Sequence, residues 1–406
     1  MVIFFKRLKL EKNFIIFSAL NFFEKFLAYV APLLVLKLIG NQKIYNNIEF
    51  IYSLSLILNI FFDFGIRGFL IYSFRFKRNV YKYSFESFKF LNSILILYII
   101  IFGIFYFFSF NFFLDFLIIS LIFCRAIYLL IVNFLRVLFR IINKPFQIFT
   151  YSLIANLATC ILIICFFYYK IEFKIQFFFG PFLLFILIYS FYFLFTKNFE
   201  TKISKLLIFV NKSIKYYWPL IIISLVSVFI GNFIKIFSYF TLGDDEMTRI
   251  SIYLRYLLLI QLAHGSFSSF FLRKNFESKK KFINKDLFTQ YLFILIFFSF
   301  LVILTMPLIS NYLNFKYHNF DLVFLILNLY ILIWCISAYL EQFLNKYNQN
   351  TYILRFHLIS LIIYFSIFLI NYDDKLLILS LSMLLSTFTY FVLILLHLKK
   401  FKFLLK

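Results

Sequence analysis

The chain has 406 residues, is 64% hydrophobic and 14% charged, and carries a formal charge of +24. Its mean hydropathy of +0.95 excludes a soluble globular protein, which must keep a polar shell over its core. The basic residues lie in short clusters between apolar runs, so the positive charge points to membrane topology and away from nucleic acid.

Twelve apolar segments follow in chain order: 13–39, 47–72, 87–109, 112–137, 146–169, 175–196, 215–241, 249–272, 287–310, 320–344, 351–371 and 375–398. Each has about 20 residues or more, enough to cross a bilayer core of roughly 30 Å with some tilt. The expected fold class is therefore an all-α polytopic membrane protein. No small-residue cleavage site follows the first run, which is too long for a signal-peptide core, so the first span is expected to act as an uncleaved anchor. The 68 Phe and only 8 Gly fit an AT-rich coding bias and are not themselves a functional signal. Cys124, Cys160, Cys165 and Cys335 all lie in apolar runs without metal-ligand spacing and read as small core residues.

Of the 41 Lys and Arg, 29 fall in alternate loops beginning with the N-terminus and six in the others. This asymmetry predicts that both termini are cytoplasmic and supports an even number of spans. No loop is long enough to be a domain; the longest, around 197–215, is basic and divides the spans into two sets of six, residues 1–200 and 201–406. The second spans of the two sets, "IYSLSLILNIFFDFG" (51–65) and "IYLRYLLLIQLAHG" (252–265), are weakly alike, and each follows a loop with a glycine, Gly40 or Gly243.

The remaining six cations lie inside spans: Lys25, Lys37, Arg67, Arg125, Lys235 and Arg255. Glu24 and Asp63 are the clear intramembrane acids. Such charges cost a few kcal/mol each unless they face protein or water. The first span places two of them side by side in "NFFEKFLAYVAP" (21–32). Lys25 lies about 16 Å into its span at 1.5 Å per residue, near the midplane, and Arg125 lies at a similar depth. Lys235 and Arg255 lie in the outer halves of the seventh and eighth spans.

Neighbouring helical residues point about 100° apart, so Glu24 and Lys25 are not expected to form a simple pair. Asp63 and Arg67, four apart, suit an intrahelical ion pair. Lys37 is placed to snorkel to the outer interface. His264 suits either a hydrogen-bonded packing role or a proton relay. Glu24 suits either ion coupling or a counterion role. Asp63 stays a coupling candidate beside its structural reading. Pro32 is expected to interrupt the first span just outward of Glu24 and Lys25. The acidic "LGDDEM" (242–247) fits an outer loop.

Two stretches carry a family resemblance. The second span ends "DFGIRGFLIYS" (63–73), and the seventh and eighth read "WPLIIISLVSVFIGNFIKIFSYFTLGDDEMTRISIYLRYLLLIQLAHGSFSSFF" (218–271). With the span count, they resemble the polysaccharide and O-antigen flippases (Wzx type) of the multidrug/oligosaccharidyl-lipid/polysaccharide (MOP) exporter superfamily. The resemblance implies a MATE/MOP-like V-shaped transporter of two six-helix bundles in a bacterial inner membrane. Its partners would be an undecaprenyl-pyrophosphate-linked oligosaccharide, H⁺ or Na⁺ as coupling ion, and membrane lipid. Lys25, Arg125, Lys235 and Arg255 are then the expected substrate-binding residues, since cations suit a pyrophosphate. Glu24, Asp63 and His264 are the ion-coupling candidates.

A cation-coupled multidrug antiporter on the same scaffold is the first alternative; six in-span cations against two acids argue for an anionic substrate instead. A membrane polymerase or glycosyltransferase is the second. It lacks the large outer loop and acidic catalytic motif such chemistry needs. No Walker loop, nucleophilic triad or metal-ligand spacing appears, so no cofactor, metal or catalytic residue is expected.

Overall fold

The structure is a computed structural model that describes residues 12–63, 115–141, 147–195, 203–277, 285–313, 321–347, 349–370 and 373–400. Among these residues it is entirely helical: α1 (Lys12–Leu34), a π-helical segment (Val35–Ile39), α2 (Gln42–Phe62), α3 (Phe116–Ile141), α4 (Gln147–Tyr168), α5 (Ile175–Phe195), α6 (Ile203–Thr241), α7 (Asp244–Glu277), α8 (Lys285–Leu313), α9 (Leu322–Lys346), α10 (Asn350–Phe368) and α11 (Lys375–Lys400). Eleven of the twelve expected spans are thus matched by helices. The third, 87–109, lies outside the described residues. The chain is an all-α polytopic membrane protein.

Among the described residues seven helices, α3, α4, α6 and α8 to α11, are long and apolar enough to cross a membrane by length and composition. The others are the charge-bearing α1, α2 and α7 and the shorter α5, apolar over Ile175–Phe191.

Some boundaries differ from expectation, each for a local reason. The basic stretch expected as a loop at 197–215 is helical from Ile203, and α6 has 39 residues. No Gly or Pro interrupts it before Pro219, and lysines mark where lipid ends without ending a helix. Pro32 lies inside α1 without ending it. The ladder instead widens into the π-helical segment three residues on, and Gly40 stops it in a left-handed conformation at φ 70°. Asn41 then caps α2, its Oδ1 accepting from the Ile44 N–H at 3.0 Å. Gly243 lacks the left-handed conformation of Gly40, so the two glycine loops are not conformational equivalents. The acids of 244–246 form the first turn of α7, where they complement the helix dipole.

The chain forms two compact units. One comprises Met1–Lys25 with Phe233–Lys406, the other Phe26–Asn232; the divisions fall within α1 and α6. In unit 26–232, α2 packs on α3, and α3, α4 and α5 pack on one another. The centre is aromatic: Tyr45, Phe50, Phe178, Phe179 and Phe182 are fully buried. In the other unit, α11 packs on α9 and α10, and α7 on α8 and α9. Buried Ser380, Ser382 and Ser386 supply α11 with the small residues that let helices approach in a membrane. The Ser360 hydroxyl donates across to the Ser386 carbonyl at 3.0 Å. Tyr291 and Tyr339 stack with centroids 4.4 Å apart.

Large apolar side chains remain exposed in helical stripes. Ile154, Leu157, Ile161 and Ile164 line α4, and Phe293, Ile296, Phe297, Phe300, Leu304 and Leu308 line α8. Their i, i+3, i+4, i+7 spacing marks faces turned to lipid. Phe300→Lys, near the middle of α8, should therefore cost about 2.5–3.5 kcal/mol of insertion free energy. Phe300→Leu should cost almost nothing. Quantifying each variant in the membrane fraction checks this, and equal amounts would place that stripe away from lipid.

Candidate functional site

The in-span charges of this apolar chain sort into the two units. Lys25, Lys235 and Arg255 belong to the unit built from Met1–Lys25 and Phe233–Lys406, together with Glu24 and His264. Arg125 and Asp63 belong to unit 26–232. Arg67 lies outside the described residues, so its pairing with Asp63 does too. Asp63 itself is buried at the C-terminus of α2, its N–H bonded to the Asn59 carbonyl.

Glu24 and Lys25 form an ion pair, Lys25 Nζ lying 3.5 Å from Glu24 Oε1. This corrects the expectation drawn from their divergent directions. The Cβ bonds diverge, but a four-carbon lysine stem can fold back over its own turn, and a low dielectric strengthens the attraction. Glu24 is 1% exposed and Lys25 27%, so the acid is interior while the ammonium keeps access to its surroundings. The surrounding turn is anchored in the same unit. Asn21 donates to Ser266 Oγ on α7 at 2.7 Å, and Phe22 stacks on Phe298 of α8.

Arg125 is held differently. Its guanidinium carbon lies 3.2 Å from the Tyr52 ring centroid and 5.3 Å from that of Phe182. Phe178 and Phe179 extend the cluster around Tyr52. The ring faces offset the cost of burying the charge on a residue only 9% exposed. Lys235 on α6 is 8% exposed and Arg255 on α7 is 4% exposed; both are interior cations.

His264 sits in a directed hydrogen-bond chain. Its Nδ1 is 2.6 Å from the Tyr291 hydroxyl, and that hydroxyl donates to the Cys335 carbonyl at 2.6 Å. A phenol has one proton, so Nδ1–H must donate to Tyr291. This leaves Nε2, 3.4 Å from Ser268 Oγ, as the position for a second proton. Trp334 packs edge-on against the ring.

Three features were missed at the sequence level. Glu24 and Asp63 are not the only interior acids: Glu49 on α2 is fully buried, and Glu341 lies inside α9. Among the described residues the acids inside helices or at their ends therefore number four and not two, which narrows the expected excess of cations. The second feature is a polar chain in unit 26–232. Asn133 Nδ2 donates to Asn59 Oδ1 at 3.2 Å, and Arg136, at the end of the expected span 112–137 and counted with the loop cations, lies within α3 and donates to Ser152 Oγ at 3.0 Å. Third, Arg249 bonds Glu246 and Asp321, and Asp321 also caps α9 through the Val323 N–H at 3.1 Å. Glu341 stood within a segment read as a span; the other two needed helix partners that spacing does not supply.

No family model matches the sequence, and no curated protein is similar to it at the sequence level. Solved structures are. The chain resembles an outward-facing multidrug resistance MATE family transporter of the MOP superfamily: 14% identity, 97% of this chain and 96% of that one covered, TM-score 0.61. The inward-facing conformation of such a transporter gives 12% identity, 93% and 95% coverage and TM-score 0.58. Lipid II flippase MurJ in an inward closed conformation gives 15% identity, 95% and 87% coverage and TM-score 0.50. The chain shares the overall fold of these transporters.

If Tyr52 offsets the buried charge of Arg125, Tyr52→Leu should lower stability by about 0.5–2 kcal/mol through the lost cation–π contact. Tyr52→Phe should be close to wild type. Thermal unfolding of the purified protein in detergent reads this. An equal loss in both variants would mean that the hydroxyl, and not the ring, holds the arginine.

Proposed function

We propose that this chain is a flippase that moves a lipid-linked oligosaccharide, of the undecaprenyl-pyrophosphate type, across a bacterial inner membrane for surface polysaccharide assembly. The observation that carries the reading is the set of interior cations, Arg125, Lys235 and Arg255, in a chain with a MOP transporter fold. A diphosphate carries its charge on oxygens that arginine and lysine recognise directly. Lys25, Arg125, Lys235 and Arg255 are the proposed headgroup contacts. Glu24, Asp63 and His264 are proposed to take part in coupling to H⁺ or Na⁺ during alternating access. The twelve spans are proposed to form two sets of six, residues 1–200 and 201–406. Both termini are placed in the cytoplasm by the basic loops. One of the structural neighbours, MurJ, is itself named a lipid II flippase, which is in keeping with a lipid-linked cargo.

A second reading has its own support. Glu49 and Glu341 add to the interior acids, and acids suit cationic drugs; two of the neighbours are multidrug resistance transporters. Under this reading, loss of the gene sensitises cells to cationic compounds and leaves surface glycans intact.

Under the flippase reading, Lys25→Ala and Arg125→Ala should each abolish surface polysaccharide while the protein stays at its normal level in the membrane. Immunoblotting of the glycan and of the protein in the same cells measures both. Normal glycan in both variants would remove these cations from the substrate route.

A further inference from the structure

Around Glu341, the unit containing Phe233–Lys406 holds a second cluster of titratable groups, with His357 and Tyr390 buried beside it. Glu341 on α9 has a donor on each carboxylate oxygen. Asn345, one turn further along, donates to Oε1 at 3.3 Å, and the Tyr390 hydroxyl of α11 donates to Oε2 at 2.8 Å. His357 of α10 approaches the same Oε2, its Nε2 at 3.6 Å. That is too long for a hydrogen bond but within ion-pair range. The imidazole lies against the Tyr390 ring, centroids 4.0 Å apart. Tyr390 thus both positions the imidazole and occupies the carboxylate. His357 Nε2 and Asn345 Oδ1 are buried and make no hydrogen bond among the described residues. The cluster therefore has a carboxylate, an imidazole and a free amide oxygen with hydrogen-bonding capacity left over.

We propose that Glu341, His357 and Tyr390 form a proton-binding site, a coupling site additional to the groups named in the transport reading above, on which its coupling role rests. The proton is shared between Glu341 Oε2 and His357 Nε2. With one proton the pair is neutral overall, as carboxylate and imidazolium or as carboxylic acid and imidazole. When that proton leaves to water, no other bond changes and the pair carries one negative charge. A whole charge appearing among α9, α10 and α11 is what a pH gradient or a membrane potential can act on. Because α11 packs on both α9 and α10, the change in charge acts on all three helices together. A proton suits the site better than an alkali cation, since one of its three facing groups is a nitrogen and hard cations take oxygen ligands. The titratable groups facing Glu341 from neighbouring helices are His357 on α10, Tyr390 on α11 and, at longer electrostatic range, His264 on α7. Tyr291 of α8 is hydrogen-bonded to that His264.

The proposal rests on the transport reading only for what the proton drives, so proton binding is measured without any transported molecule. The chain has only 4 His, so the full-length protein, labelled with ¹⁵N-histidine in lipid nanodiscs, can be titrated by NMR and assigned by single His→Gln variants. In Glu341→Gln the shared proton should be bound at least tenfold more weakly, read at the His357 resonance. Tyr390→Phe should change the affinity for the shared proton severalfold, read at the same resonance, and it serves as the test if Glu341→Gln fails to fold. Saturating sodium should leave the titration unchanged. An unaltered His357 titration in the variants, or a sodium-induced shift, overturns the proton site. Transport by the variants that still follows an imposed pH gradient overturns the coupling role. Loss of the lipid-linked cargo assignment with the titration intact leaves the proton site standing and removes only the flippase reading.

Discussion

The rest of the structure is organised around one constraint: a charge inside an apolar helix must find compensation within the protein. A centrally placed lysine or arginine costs a few kcal/mol on insertion scales, a large fraction of the total stability of an ordinary domain. Four interior charges show different solutions. Lys25 folds back on Glu24. Arg125 lies over Tyr52. Glu341 gathers donors from its own helix and from α11. Arg136 reaches a serine on the next helix. None of these arrangements would be retained for packing alone, because leucine would fill the same space at lower cost.

The surrounding fold is built to make those solutions possible. Aromatic rings do much of the packing in both units, and they accept a cation on their faces while remaining apolar at their edges. Serines do what glycines do in other membrane helices, lying at helix contacts and bonding to backbone carbonyls. Apolar stripes on α4 and α8 take the lipid. The division between a lipid-facing exterior and charged interiors therefore follows from the same side-chain pattern that makes the helices insert.

Much of this was legible in the sequence. Span positions follow from apolar run length, and eleven of the twelve were matched by a helix because a ~30 Å core requires about 20 apolar residues whatever the fold. The in-span charges were visible for the same reason. Their partners were not. Glu24 and Lys25 were read as divergent from helix geometry, which describes Cβ directions and not the reach of a lysine. Glu341 was passed over because it lies near the end of its span, where an acid normally reaches water. His357 and Tyr390 become its neighbours only once α9, α10 and α11 pack together. The start of α6 was placed too late because basic residues signal an interface, and a helix can continue beyond one.

The central claim is that the interior cations serve an anionic, lipid-linked cargo. Its most direct test is to extract lipids from cells lacking this gene and to determine the leaflet that holds undecaprenyl-pyrophosphate-linked oligosaccharide. The account predicts complete repeat units accumulating in the cytoplasmic leaflet, with surface polysaccharide lost. Complete units that reach the outer leaflet unpolymerised, or lipid-linked glycan that does not change, would contradict it.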